Sequence, residues 1–233
     1  PYGRSIVIVP NKSLVTQTEA DYINLGLDVG VYFGDRKDIG KTHTICTWQS
    51  LNVLLKNTQA GIAECTIGEF IEDVVLVMVD EVHMAKADAL KTLLTGVFAR
   101  VPIRWGLTGT VPKDDLEFMS IKTGLGEVVH QVKAHELQEK GVLSECHVNI
   151  IQTGEWKEFS SYAEELKYLV TDQTRMSYVS NLIKNISESG NTLVLVDRIE
   201  SGRFLQSHLT KLFELIKETP DVAFISGEVK TKV

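Results

Sequence analysis

Two acidic residues and a histidine, in the segment Asp80-Glu81-Val82-His83, directly follow the continuous apolar run 74–79. A run of this length and composition predicts a strand that is covered on both faces in a parallel sheet. Because ligands bind at the carboxyl ends of such strands, the two carboxylates can face a bound nucleotide. The first can hold Mg²⁺, usually through water, and the second can orient a water that attacks a phosphate. The alternative is an acidic cap on the following helix.

Hydroxyl side chains form a second candidate group in the segment Gly106-Leu107-Thr108-Gly109-Thr110, at the end of the predicted strand 103–107. The number of residues between this segment and the acidic residues is enough for one helix between two parallel strands. Thr108 and Thr110 can exchange hydrogen-bond partners when a phosphate leaves. The alternative is an ordinary loop rich in hydroxyl groups.

The elements that must position these residues alternate between strand and helix along the first half of the chain. The pattern predicts strands at 5–9, 27–33, 43–47, 74–79 and 103–107, and helices at 13–25, 49–57 and 85–99. Such alternation is typical of a doubly wound α/β domain. Farther along, strands at 146–152, 192–196 and 222–225 and helices at 164–188, with a break near 172–174, and 200–213 predict a second α/β unit.

In their order along the chain, these segments resemble the motor of superfamily-two nucleic-acid helicases. Residues 6–17 resemble motif Ia, 45–51 motif Ib, 80–83 the DExH motif II, 107–110 motif III and 192–198 motif IV, and 224–229 resemble the segment after motif IV. The segments Thr47-Trp48-Gln49-Ser50 and 225–229 are most similar to the phage UvsW-type recombination DNA helicases. The resemblance implies RecA-like parallel sheets with flanking helices.

The resemblance also implies a domain division. Residues 1–130 correspond to a first RecA-like motor domain that is truncated at its N-terminus, 131–150 to a connection, and 151–233 to the beginning of a second RecA-like domain. The segments that would match motifs I, V and VI of the family are not found in the sequence. We therefore expect an internal fragment, with the phosphate-binding loop outside it, that is inactive by itself.

For the reaction, the resemblance implies ATP and Mg²⁺ as cofactors. Asp80 would hold Mg²⁺, through water, and Glu81 would position the attacking water. His83, Thr108 and Thr110 would couple the nucleotide state to the grip on nucleic acid.

The resemblance further implies DNA as the partner, with RNA or an RNA–DNA hybrid as alternatives. The residues expected along the binding groove are Pro10, Asn11, Lys12, Thr47, Ser50 and, in the motif IV segment, Arg198. Local phosphate contacts of this kind are compatible with a net charge of −7. Lys12 as a solvated loop lysine remains an alternative, and Trp48 is interpreted as a core residue.

The function that follows is an ATP-dependent helicase or translocase that remodels branched DNA in recombination, repair or replication. Two alternatives stay open: the translocating motor of a restriction enzyme or remodeller, and a helicase-like binding module that does not hydrolyse ATP. An upstream GKT or GKS loop would speak against the binding module. The three separated cysteines and the lack of a long apolar run favour a soluble cytoplasmic protein, in the host cytoplasm if a phage encodes it.

One segment imitates a phosphate-binding loop. Gly34 and Gly40 precede Lys41 and Thr42, but five residues separate the glycines, whereas the motif has four. The segment also leads into a predicted strand, while a phosphate-binding loop opens a helix whose amides point at the phosphates. We therefore do not assign Lys41 to the nucleotide.

Overall fold

The computed structural model describes residues 3–86, 88–154, 157–215 and 221–226, with the backbone alone for 85, 86, 88, 115 and 117. The chain divides into two compact units, residues 1–145 and 146–233. Their boundary falls within the predicted connection 131–150. Each unit is described separately below.

A six-stranded sheet forms the centre of the first unit. Its strands, in sequence order, are β1 Arg4–Val9, β2 Val29–Phe33, β3 Arg36–Lys37, β4 His43–Thr47, β5 Val74–Val79 and β6 Ile103–Gly106. Their order in the sheet is β3-β2-β4-β1-β5-β6, and every pair is parallel except β2 with the short β3. The predicted RecA-like α/β fold class is confirmed.

Helices follow the strands of this unit and cover the sheet. They are α1 Lys12–Asn24, α2 Trp48–Gln59, α3 Ile67–Phe70, α4 Asp88–Thr95, α5 Asp115–Leu125 and α6 Ala134–Glu139, with short 3₁₀ helices at Val82–Lys86 and Val97–Arg100. The single helix predicted at 85–99 is wrong, because α4 ends before Gly96 and two 3₁₀ segments flank it. Among the described residues, no helix has the length and apolar character needed to cross a membrane.

Both faces of β1 are buried, which explains its uninterrupted apolar sequence. Ile6 and Ile8 belong to one cluster of buried residues, whereas Val7 and Val9 belong to the other. Successive side chains of a strand point to opposite faces, so a strand covered on both faces needs apolar residues at every position. The larger cluster includes residues of α2, α3 and α4, and the smaller includes Val15 of α1.

The register of the strands brings their carboxyl ends to one edge of the sheet. Val9 of β1 pairs with Thr47 of β4, and Ile8 pairs with Val79 of β5. Val79 in turn pairs with Gly106 of β6. The loops that follow β1, β4, β5 and β6 therefore leave from the same edge, and these are the loops that carry the predicted site residues.

In the second unit, the described residues form three helices, α7 Tyr162–Thr171, α8 Gln173–Ser187 and α9 Ile199–Leu215. Asp172 ends α7 and begins α8, where its side chain accepts a hydrogen bond from the backbone N–H of Arg175. The predicted break near 172–174 is therefore confirmed. A cavity of about 870 Å³ lies between α8, α9 and the segments 190–196 and 221–225.

The strands predicted at 146–152, 192–196 and 222–225 are wrong for the described residues, which have no regular structure there. Leu193, Leu195 and Ile225 leave more than four-fifths of their surface exposed. A strand is stable only where a neighbour accepts its backbone hydrogen bonds, and the local sequence does not supply that neighbour. Residues 227–229 of the predicted segment after motif IV lie outside the described residues.

Candidate nucleotide and nucleic-acid site

Asp80 begins the loop that leaves β5. Its backbone N–H donates to the carbonyl of Ile8 at 2.9 Å, which extends the pairing of β5 with β1 by one residue. Its Oδ1 accepts from the backbone N–H of Glu81 at 2.9 Å. Among the described residues, none donates a hydrogen bond to Oδ2, so this half-buried carboxylate can bind a further group at the edge of the sheet.

Glu81 occupies the sharp turn between β5 and the 3₁₀ helix. Its φ is +50°, in the left-handed region that non-glycine residues rarely adopt. The next residue, Val82, donates its backbone N–H to the carbonyl of Leu107 at 2.9 Å. This bond attaches the acidic loop to the loop after β6.

His83 joins the acidic segment to the threonine segment. Its Nδ1 lies 2.8 Å from Oγ1 of Thr108 and 3.1 Å from Oε2 of Glu81. The Thr108 hydroxyl donates to the Thr110 carbonyl at 3.0 Å and accepts from the Thr110 N–H at 3.1 Å. The structure thus brings the side chains of Glu81, His83 and Thr108 into contact. Asp80 joins them through the backbone N–H of Glu81, and Thr110 through its own backbone.

The number of available protons determines how these groups bond. The Thr108 hydroxyl has one proton, which the Thr110 carbonyl accepts, so its bond to His83 requires a proton on Nδ1. The Glu81 carboxylate is only an acceptor and requires the same proton. The geometry therefore favours the Nδ1–H form of His83, with one N–H facing both acceptors.

The donor set at this edge fits Mg²⁺ held in part by water and phosphates. Mg²⁺ prefers oxygen ligands and is usually held by one or two carboxylates, while substrate phosphates and water complete its shell. Asp80 offers such a carboxylate. In the part of the chain that the structure describes, no cluster of three or more His, Cys, Asp or Glu residues could hold a metal ion alone.

The predicted nucleic-acid residues of the first unit lie beside this site, and two of them cap helices. Oδ1 of Asn11 accepts from the backbone N–H of Leu14 at 3.0 Å and caps α1. Oγ1 of Thr47 accepts from the backbone N–H of Ser50 at 3.3 Å and caps α2. The other N–H groups of each first turn remain at the sheet edge, where they can bind an anion.

The remaining predicted contacts differ in their surroundings. Lys12 is exposed, and its Nζ lies 5.7 Å from the centroid of the Phe33 ring. Trp48 is partly buried against the core, as interpreted from the sequence. Arg198 belongs to the second unit, where it is exposed and its Nε lies 3.6 Å from Oδ2 of Asp197.

Gln49, which belongs to the segment that resembles motif Ib, is a residue of this edge for which no site role was predicted. Its side-chain amide donates to the carbonyl of Pro10 at 3.4 Å, linking the loop after β1 to the start of α2. Gln49 is otherwise exposed. Its position directly after the capping Thr47 and Trp48 is the signal that could have identified it.

Lys41 lies at the opposite edge of the sheet, before β4, and Asp28 binds it. Its Nζ donates to Oδ1 of Asp28 at 2.8 Å, and the N–H and hydroxyl of Thr42 donate to Oδ2 at 3.0 and 3.2 Å. The hydrogen bond from Lys41, followed by that from the Thr42 backbone, lowers the pKa of Asp28 from 3.8 to about 2. Through these hydrogen bonds to Asp28, the GKT segment connects the turn before β2 with the turn before β4.

Comparison with protein families identifies one match. Residues 1–113 match the family model described as ResIII, Type III restriction enzyme, res subunit. No curated protein matches the chain.

Several solved structures resemble this chain. The UvsW helicase of bacteriophage T4 is 18% identical, with 99% of this chain and 44% of that chain covered and a TM-score of 0.42. The Hef helicase domain of Pyrococcus furiosus is 17% identical, covering 90% and 46%, with a TM-score of 0.46. The DUF1998 helicase MrfA, bound to DNA and AMPPNP, is 13% identical, covering 92% and 30%, with a TM-score of 0.52. The chain spans less than half the length of each, and the likeness to MrfA supports the fold.

Proposed function

We propose that this chain, whose residues 1–113 match the ResIII family model, forms part of an ATP-dependent motor that unwinds or moves along nucleic acid. The observation that carries this proposal is the contact of His83 with Thr108, which joins the acidic loop after β5 to the loop after β6. A pair of carboxylates that only capped a helix would need no partner on the neighbouring strand. The rest of this section assigns roles on that basis.

Asp80 and Glu81 have different roles at the nucleotide. Asp80, with Oδ1 engaged in its own turn, would hold Mg²⁺ through water. When bound, Mg²⁺ neutralises the charge that develops on the phosphates. The Glu81 carboxylate is about 43% exposed, so a water can reach it and be oriented for attack on the γ-phosphate.

His83 and Thr108 carry the signal between the two loops. One Nδ1–H faces both Glu81 and Thr108, so a movement of Glu81 toward the attacking water leaves the proton to Thr108 alone. The Thr108 hydroxyl is bonded to the backbone of Thr110. A change at the nucleotide therefore reaches the backbone of the loop after β6 through two side chains.

Nucleic acid would bind at the same edge, along the starts of α1 and α2. Free backbone N–H groups there bind phosphates without reading sequence. Asn11 and Thr47 hold the two helix ends in place, while Lys12 and Ser50 supply a cation and a hydroxyl. Arg198 is the nucleic-acid contact proposed for the second unit.

We assign DNA as the nucleic acid that is bound and ATP as the nucleotide that is hydrolysed. The solved helicase MrfA carries DNA and AMPPNP, and the Sulfolobus solfataricus SWI2/SNF2 ATPase core was solved with double-stranded DNA. The sequence resemblance to UvsW-type helicases favours branched DNA, as arises in recombination and repair. A competition assay between DNA and RNA would show whether the protein prefers RNA instead.

The experiment that tests this function is nucleic-acid-stimulated ATP hydrolysis by the full-length protein. Wild type should hydrolyse ATP faster when branched DNA is added, and Asp80→Asn should remove that stimulation. The 233-residue chain is the negative control, because none of its segments has the glycine spacing of a phosphate-binding loop. If DNA, RNA and RNA–DNA hybrids all leave the rate of ATP hydrolysis unchanged, the proposal of a nucleic-acid motor is contradicted.

A further inference from the structure

Left-handed backbone occurs at both ends of β5. Among the described residues, Asp73, with φ +59°, and Glu81, with φ +50°, are the non-glycine residues that adopt a positive φ. Asp73 precedes the strand, at the edge of the sheet away from the site. Glu81 follows the strand, at the edge that carries the site.

The neighbouring strands impose the turn at residue 81. The backbone N–H of Asp80 is bonded to Ile8 of β1, and the backbone N–H of Val82 is bonded to Leu107, directly after β6. Residue 81 lies between two fixed residues that bond to opposite neighbours of β5. In a regular strand the N–H groups of residues 80 and 82 would face the same neighbour, so the backbone must rotate at residue 81.

Glycine is the residue that makes such a turn without steric strain, because a Cβ approaches the following carbonyl in the left-handed conformation. Glu81 has that Cβ, so its backbone is strained in this conformation. In this conformation its Oε2 lies 3.1 Å from Nδ1 of His83. The side chain that creates the strain is thus the one that reaches the histidine.

We propose that position 81 is a glycine position of the fold, and that the strained turn is a positioning device that holds the Glu81 carboxylate beside His83. The protein is less stable than it would be with glycine at 81. The reason for keeping glutamate rests on the proposed function, whereas the strain itself does not.

The order of alanine and glycine variants tests the strain. Glycine is normally worse than alanine, because it gains more freedom in the unfolded chain. At position 81 the order should be reversed, with Glu81→Gly melting about 2–4 °C above Glu81→Ala. Both variants lack the carboxylate, so the comparison isolates the Cβ. A Trp156→Phe background leaves Trp48 and Trp105, both in the first unit, to report unfolding.

Two matched positions calibrate the measurement. Asp73 should show the same reversed order, with Asp73→Gly melting above Asp73→Ala. Lys56, an exposed residue of α2, should show the ordinary order, with Lys56→Ala above Lys56→Gly. If Glu81→Ala melts at or above Glu81→Gly while the two calibrating positions behave as stated, the proposal is overturned.

Activity separates this inference from the proposed function. In the full-length protein, Glu81→Gly should abolish ATP hydrolysis while it raises the melting temperature, and Asp73→Gly should leave hydrolysis unchanged. Reversed melting order with full hydrolysis in Glu81→Gly would overturn the positioning role and the assignment of Glu81 as the water-orienting residue. The motor would then need another catalytic carboxylate, although the strain would stand.

Discussion

Nδ1 of His83 lies 2.8 Å from Oγ1 of Thr108, across 25 residues of sequence. The contact exists because β5 and β6 are neighbours in the sheet and both loops leave from the same edge. It connects the acidic loop after β5 with the threonine segment after β6. The first two predictions test this contact.

Thr108→Val should reduce nucleic-acid unwinding more than ATP hydrolysis in the full-length protein. Valine keeps the shape of the side chain and removes the hydroxyl that bonds to His83 and to the backbone of Thr110. Loss of hydrogen bonds of this kind should lower the unwinding rate about tenfold. Both rates should be measured on one preparation.

Thr110→Ala is the matched control for that variant. The described contacts of Thr110 with Thr108 use its N–H and its carbonyl, which alanine retains. Unwinding by Thr110→Ala should therefore stay close to wild type. Equal losses of unwinding and hydrolysis in Thr108→Val would refute the coupling role of its hydroxyl.

The neutral ring of His83 should carry its proton on Nδ1. One hydroxyl proton at Thr108 and an acceptor-only carboxylate at Glu81 leave no other donor for the two contacts. Nitrogen-15 NMR of the imidazole distinguishes the two tautomers, and His83→Gln identifies the signal. A neutral ring protonated on Nε2 would contradict this assignment, because Nδ1 would then accept from the Thr108 hydroxyl and could not donate to Glu81.

The Asp28 carboxyl should titrate near pH 2, and Lys41→Met should move its pKa upward, toward 3.8. Its folded-state pKa is lowered, so the bonds to Lys41 and Thr42 stabilise the fold above about pH 4. That contribution is lost as the pH falls toward 2. Carboxyl carbon-13 NMR measures the midpoint of Asp28 in the wild type and in Lys41→Met. An unchanged midpoint in Lys41→Met would contradict the contact.

The first unit was largely predictable from its sequence because the inner strands of its sheet are buried on both faces. β1, β4 and β5 were predicted from uninterrupted apolar or β-branched runs, and the position of Asp80 at the end of β5 followed directly. Parallel strands place their carboxyl ends together. The meeting of His83 with Thr108 was therefore foreseeable in outline.

Other features depend on contacts that local sequence does not encode. The left-handed turn at Glu81 results from hydrogen bonds to two different strands, and no residue type in the segment indicates it. The bond of Asp28 to Lys41 joins two turns that are adjacent only in the folded unit. In the second unit, the apolar run 192–196 predicts a strand, but pairing requires a neighbour that such a run cannot specify.

The central claim is that the nucleotide site lies at the acidic loop and not at the GKT segment, and one pair of variants tests it. In the full-length protein, Glu81→Gln keeps the side-chain size and removes the charge that orients water, so ATP turnover should fall by orders of magnitude while ATP binding persists. Lys41→Ala, whose side chain is engaged by Asp28, should bind and hydrolyse ATP nearly as wild type does. ATP affinity and steady-state hydrolysis should be measured for both variants. Loss of ATP binding in Lys41→Ala together with normal turnover in Glu81→Gln would contradict the account.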